Sequence, residues 1–347
     1  MTAKGPDYAY KYCSQNPTPL TLRQLLFYER HCNTERLLKS ANYIRTELPI
    51  RIAHRIREFQ KLPYILGTNP YIESVYSLYW EAFERIRKIS EIKTREENDR
   101  FCKMLEESLD AHLVVIPRLA KGINECEQHG IISMDKLDIF MNATLRSRIS
   151  RRVLAEHHLV LSKRRKSIFN LCSSHDILTK CTRLVQAAYP NVINVKINVS
   201  GRDTEFTYVS DHIEYIIYQL LSNAYRHSID SSAKEIKVTL CSNENNVLFR
   251  ISDQGEGIKK EIYENLWTYG NYNMEKIERL EAKLNENINM RLGIGLPMSR
   301  VYAEYWGGEI KIITMEGFGT DAYVRIPRLG TQNENITSES LDEAIMS

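Results

Sequence analysis

The sequence predicts an α+β protein, an N-terminal helical bundle followed by an α/β sandwich. Two observations carry this. Up to about residue 168, apolar residues recur at three- and four-residue spacings over long stretches; beyond it, five short segments alternate apolar and polar residues. Helical patterns lie between those segments without a regular strand–helix–strand order, so the sheet is expected to be mixed, with its helices on one face.

The elements follow in order. Residues 1–20, with Pro17 and Pro19, read as an extended arm. A helical pattern covers 21–48 and is expected to stop before Pro49. IRIAHRIREFQKL follows as a separate amphipathic helix, with Ile50, Ala53, Ile56 and Phe59 on one stripe, ending before Pro63. YIESVYSLYWEAFERIRKI forms a helix after Pro70, and the next, from Glu97 to Cys126, is expected to bend near Pro117. The longest helix starts at Met134 behind Ser133, a candidate cap. Strands are expected at 192–200, 235–242, 246–253, 308–316 and 320–327, with helices at about 175–188, 208–228 and 294–306. The polar stretch 263–292 reads as a lid, and 329–347 as a flexible C-terminal tail. The domains expected are 21–168 and 169–328.

The 347 residues suffice for two cores, and a formal charge of +3 gives no argument for nucleic acid. Seven scattered cysteines without a CxxC pair argue against a disulfide framework or a zinc site and fit a reducing compartment. No apolar run is long enough to span a membrane, and no transit peptide is visible at the N-terminus.

Three motifs carry chemistry. In YQLLSNAYRHS, Gln219 and Asn223 stand four apart on one helix face. An Asn carbonyl can ligate magnesium that also clamps phosphate oxygens, though an Asn on a helix is more often merely solvated. In DQGEGI, directly after a strand, Asp253 can accept a proton from an exocyclic amine, and Gly255 and Gly257 let a flat ligand approach the main chain; a plain tight turn would look the same. In GIGLPMSR, Gly293 and Gly295 precede a helix whose first N–H groups can hold phosphate, although the pattern also suits a simple cap. Gly319 and Thr320 then open the last strand.

Together and in this order, the motifs resemble the GHKL (Bergerat) ATPases: histidine kinases, gyrase, Hsp90 and MutL. ELPIRIAHRIREFQKLPYILGTNP and RSRISRRVLAEHHL further resemble the mitochondrial 2-oxoacid dehydrogenase kinases, the pyruvate and branched-chain dehydrogenase kinases, over residues 20–328. The first stretch and the setting of Tyr215 lean toward the branched-chain branch or a fungal-type relative. The resemblance implies a serine kinase that acts on the decarboxylase subunit and docks on the lipoyl domain of the acyltransferase. It also implies a dimer with itself or a paralogue, and a mitochondrial matrix location. By position it gives Asn223 to magnesium and phosphate, Arg226 to phosphate, and Asp253 with Gly257 to adenine. Thr268 goes to the lid's base near Trp267, where the family binds potassium; Gly293, Gly295 and Leu296 go to phosphate, and Thr320 to the adenine pocket. His112, Arg148 and Arg152 match an inhibitory ketoacid pocket, whose small carboxylate suits two guanidiniums and an imidazole.

The pattern breaks in three places. Gln219 stands where the family has its catalytic Glu base, and an amide accepts no proton at neutral pH. Arg291 replaces the first glycine of the phosphate loop, and Arg151 replaces an apolar residue of the ketoacid pocket. The basic run 146–166 suits either a solvated helix face or an anion or partner site. The leading expectation is an ATP-dependent serine kinase attenuated by Gln219. The alternative is an ATP-binding pseudokinase that regulates an active paralogue. A histidine kinase would need phosphate on His157 or His158, and two adjacent helical histidines are more often structural.

Overall fold

A computed structural model describes residues 7–128, 133–163, 167–189, 195–229, 235–269 and 294–336. Helices α1 (Asp7–Cys13), α2 (Leu22–Arg30), α3 (Thr34–Gln60), α4 (Tyr64–Gly67), α5 (Pro70–Arg87), α6 (Arg95–Ala111), α7 (Val115–Gln128) and α8 (Met134–Lys163) build the first half. Their starts follow local chemistry. Thr21 with Gln24, and Thr94 with Glu97, form capping boxes; Asn33 and Asn69 cap α3 and α5 through their side-chain oxygens. Ser133 precedes α8, and its carbonyl accepts from Leu137 N.

Four expectations change. Helix α3 runs through Pro49, because Leu48, Pro49 and Ile52 are buried and packing outweighs one lost hydrogen bond. The break expected near Pro117 falls at His112–Val114, a 3-10 turn. Proline clashes with the carbonyl four residues earlier, so the disruption lies upstream and Pro117 itself sits in the first turn of α7. The arm contains α1, which packs on α3 and α5 through buried Ala9 and the edge-on pair Tyr12–Phe83. The start of the expected tail is anchored: Asn333 bridges Thr21, and Glu334 is buried.

The second half holds β1 (Phe169–Ser173), α9 (Ser174–Ala188), β2 (Lys196–Gly201), β3 (Glu205–Val209), α10 (Ser210–Ser228), β4 (Glu235–Ser242) and β5 (Asn246–Asp253). It continues with α11 (Lys260–Glu264), α12 (Gly295–Tyr305), β6 (Glu309–Met315) and β7 (Gly319–Pro327). The main sheet has the order β2-β4-β5-β7-β6, parallel only between β2 and β4, while β1 and β3 pair separately. Every second residue of the central strands is buried: Ile236 and Val238, Phe249 and Ile251, Val324 and Ile326. Helices α10 and α12 pack against the sheet and one another.

The halves are fastened by a buried network. Arg51 of α3 donates to Glu334 (2.6 and 3.1 Å) and to Glu47 (2.9 Å). Tyr305, at the end of α12, donates to Glu334, and Arg51 to Ser150 of α8. Arg146 of α8 pairs with Glu304 of α12 at 2.6 Å. No helix of the described residues is long and apolar enough to cross a membrane.

Candidate active site

The C-terminal half of α10 is where the three motifs meet. Gln219 is 6% exposed and faces the start of α12: a Cβ on Gly295 would lie 2.3 Å from its Oε1. Its Nε2 is buried without a partner among the described residues. One turn on, Asn223 Oδ1 accepts from exposed Arg226 Nη2 at 3.2 Å, which leaves the carbonyl oxygen a further lone pair. At the end of α10, the His227 carbonyl sits so close to Gly255 that a Cβ there would approach to 2.9 Å. This packs the Asp253 turn against the helix.

That turn is tied to the last strand. Asp253 Oδ1 accepts from Gly255 N (3.0 Å) and Thr320 N (3.2 Å). Among the described residues Oδ2 has no donor, so it is available to an amine. Burial pushes the carboxyl above the ordinary aspartate range, while the two N–H bonds pull it down. Gly319 has φ +125°, and a Cβ on it would lie 2.2 Å from the Asp253 carbonyl; Gly257 has φ +73°, with the Met315 carbonyl at 2.3 Å. Both positions therefore require glycine for conformation and for space. Thr314, which no sequence signal singled out, links the two sides. Its hydroxyl accepts from Ile258 N (2.8 Å), donates to the Gly319 carbonyl (3.2 Å) and meets the Thr320 hydroxyl (3.0 Å).

Helix α12 begins at Gly295 with no side-chain cap from Ile294 on its first N–H groups, and Leu296 packs on the core beneath. Uncapped amides and the positive dipole end suit phosphate. Gly293, Arg291 and residues 270–292 of the lid lie outside the described residues. Thr268 donates to the Asn265 carbonyl at 3.0 Å. Its neighbours dock: Trp267 under Arg300 of α12, and Tyr269 onto Asp138 and Asn142 of α8 (2.8 Å each).

A second site lies within the helical half. His112, Arg148, Arg151 and Arg152 line a cavity of about 40 Å³ whose other wall includes Leu48 and Ile52. His112 Nδ1 donates to the Ser108 carbonyl at 2.7 Å, which leaves Nε2 buried and without a partner among the described residues; burial, then Arg151, lowers its pKa to about 4. Arg152 pairs with Glu156 at 2.7 Å, whereas Arg148 and Arg151 have no carboxylate within ion-pair distance among the described residues. The basic run is thus not one solvated face: Arg148 and Arg151 are buried, Arg146, Arg152 and Lys163 are paired, and 164–166 lie outside the described residues. His157 and His158 are buried and bonded to the Leu25 carbonyl, Ser40 and Asn98, as structural histidines are.

A mixed sheet under α10 and α12, an Asn on the helix, an Asp-Gly turn at a strand end and a glycine-led helix define a GHKL-type ATP-binding domain. Comparison with known families agrees. Residues 208–330 match the family described as histidine kinase-, DNA gyrase B- and HSP90-like ATPase, and residues 19–186 match mitochondrial branched-chain alpha-ketoacid dehydrogenase kinase. The chain is 30% identical to the mitochondrial pyruvate dehydrogenase kinase of Arabidopsis thaliana, over 94% of each chain. It is 26% identical to pyruvate dehydrogenase kinase 2 of Saccharomyces cerevisiae, over 92% of this chain and 83% of that one. It is also 26% identical to rat isozyme 1, over 93% and 80%. The chain belongs to the family of mitochondrial 2-oxoacid dehydrogenase kinases.

Proposed function

We infer that this protein is an ATP-dependent serine kinase that phosphorylates and inactivates the pyruvate dehydrogenase complex in mitochondria. The observation that carries the reading is the convergence of Asn223, Asp253 and Gly295 around one helix, in a chain that covers nearly the whole length of a kinase of that name. These relatives lend nothing to the alternative of an ATP-binding regulatory partner.

The residues divide the work. The Oδ2 of Asp253, without a donor among the described residues, accepts from the adenine amine, and the glycines at 257 and 319 bring backbone against the base, with Thr320 beside it. The uncapped start of α12 holds phosphate, with Gly293 before it and Arg226 nearby. The spare lone pair of Asn223 fits magnesium, which would neutralise charge on the phosphates. Potassium near Thr268 fits less well: the Asn265 carbonyl there already accepts from the Thr268 hydroxyl and amide, and we assign it no role. Gln219 orients the serine hydroxyl through its amide and does not take its proton; the proton passes to a phosphoryl oxygen or to water. Phosphoryl transfer relies mainly on positioning and charge stabilisation, so it proceeds without a carboxylate base, at a reduced rate.

The proposal extends to regulation and assembly. His112, Arg148 and Arg152 receive a small carboxylate in the bundle cavity. The chain divides into helical and ATP-binding domains near residue 168. It works in the matrix, docks on the lipoyl domain and dimerises with itself or a paralogue; exposed Ile313 and Met315 on edge strand β6 support self-association. The test is labelled ATP with purified pyruvate dehydrogenase complex. Phosphoserine on the decarboxylase subunit, with matching loss of complex activity, is expected. Bound ATP with no transfer above blank would contradict the reading.

A further inference from the structure

The bundle cavity contains more positive charge than a monocarboxylate can neutralise. Arg148 and Arg151 are 8% and 9% exposed, and neither has a carboxylate partner among the described residues. Arg55 of α3, outside the cavity's lining, is 3% exposed and is an electrostatic neighbour of Arg151 and Tyr79. Its one acidic neighbour among the described residues, Glu58, stands 3.8 Å away and is bonded to Lys61 at 3.0 Å. Among the described residues, Arg55 Nε and Nη2 are buried without hydrogen bonds, as are the Tyr79 hydroxyl and His112 Nε2. Tyr79 sits among them: the Arg151 guanidinium lies 4.3 Å from its ring centre, and the His112 ring 5.5 Å away at its edge.

Buried donors without partners are costly, and a guanidinium cannot escape by releasing its proton. Arg151 Nε donates to the Ser147 carbonyl at 3.3 Å, and the stack on Tyr79 satisfies none of its other N–H groups. Arg148 and Arg151 both line the cavity, and a single carboxylate bound to Arg148 leaves the charge of Arg151 unmet, with Arg55 adding to it from behind the lining. The cavity volume of about 40 Å³ admits only a compact ligand, roughly three waters' worth of space.

We propose that Arg151, stacked on Tyr79 with Arg55 as its electrostatic neighbour, forms a second anion subsite beside Arg148, so that the cavity's ligand is a compact divalent oxyanion: a short dicarboxylate or inorganic phosphate. This rests on reading the cavity as a regulatory anion site and changes what it selects. The charge comes from residues outside the His112, Arg148 and Arg152 set. Two guanidiniums on one α8 face, three residues apart, are spaced for two ends of one small ligand.

The test is calorimetry and thermal melting of the full chain with malonate, inorganic phosphate and acetate at constant ionic strength. Wild type is compared with R151M, R151K and R55M, and ATP binding is measured on the same samples. Malonate or phosphate should bind roughly tenfold or more tightly than acetate, and the stronger of the two identifies the ligand class. R151M should lose that preference while its ligand-free melting temperature rises, since an unpaired buried charge is gone. R151K should keep part of the preference, and R55M, which removes a charge behind the lining, should reduce it less than R151M does. A purely structural Arg151 would instead make R151M melt lower with anion binding unchanged, and that overturns the proposal. Equal binding of acetate and malonate overturns it too and leaves the monocarboxylate reading intact. If no anion binds while ATP does, the proposal fails and the nucleotide site stands.

Discussion

Replacing Gln219 by Glu restores a carboxylate where the amide now lies against the start of α12. The side chain is 6% exposed, so a new charge there loses most of its hydration. Two local features offset that cost. The amide's Nε2 is a buried donor with no partner among the described residues, and its removal relieves roughly 1–3 kcal/mol. The uncapped N-terminus of α12 at Gly295 favours a nearby negative charge by about 0.3–2 kcal/mol. The variant is therefore expected to fold, and the desolvated carboxyl to titrate above the usual glutamate range, where it can accept a serine proton near neutral pH. General-base assistance is worth about 10²–10⁴ in rate. Single-turnover transfer from labelled ATP to the dehydrogenase complex, with nucleotide affinity measured in parallel, should show a gain on that scale. Unchanged or slower transfer by a folded, ATP-binding Q219E protein would refute the placement of residue 219 at the reacting hydroxyl.

Gly319→Ala puts a Cβ 2.2 Å from the Asp253 carbonyl at φ +125°, a strain of about 1–3 kcal/mol or more, and should weaken ATP binding roughly tenfold or more by calorimetry; undiminished affinity would show that the Asp253–Thr320 corner does not touch nucleotide. Glu334→Gln leaves Arg51 buried without its bidentate partner and should cost about 3–5 kcal/mol in urea unfolding, whereas a surface-like change below roughly 1 kcal/mol would mean the network does not join the halves. His112, His157 and His158 have pKa values lowered to about 4, and His212 to about 3, in each case chiefly by burial. The unfolded chain binds these protons near pH 6.5 and the folded chain does not, so stability is full above that pH and falls as pH drops toward 4. Denaturation at pH 5 should take up roughly three to four protons more than at pH 8, and a flat stability from pH 7 to 5 would contradict the neutral burial of these rings.

Much of the sheet was legible because its strands obey a strict period of two. Segments 235–242 and 246–253 were read at their actual bounds, separated by turn residues that cannot continue a strand. The short pair β1 and β3 was missed: each has five residues, and they pair outside the main sheet, too brief for alternation to stand out. Pro49 misled because propensity cannot see the tertiary packing that holds α3 together. At the candidate site, the glycines, Asn223 and Asp253 were readable since each supplies something no other side chain could. Thr314 was not, because a threonine in a strand is ordinary until its partners are known. The pairing of Arg51 with Glu334 spans 283 residues of chain and leaves no local trace. The unmet charge of Arg55 and Arg151 likewise emerges only when helices α3, α5 and α8 are brought together around Tyr79.

The central claim is that α10, the Asp253 turn and the start of α12 enclose a nucleotide whose phosphates meet Asn223. Titration calorimetry of the full chain with ATP and magnesium, set against N223A, examines this most directly. Saturable heat in the wild-type protein, weakened roughly tenfold or more in the variant and dependent on the metal, is the outcome predicted. No heat at millimolar ATP, or identical binding by the two proteins, would contradict it.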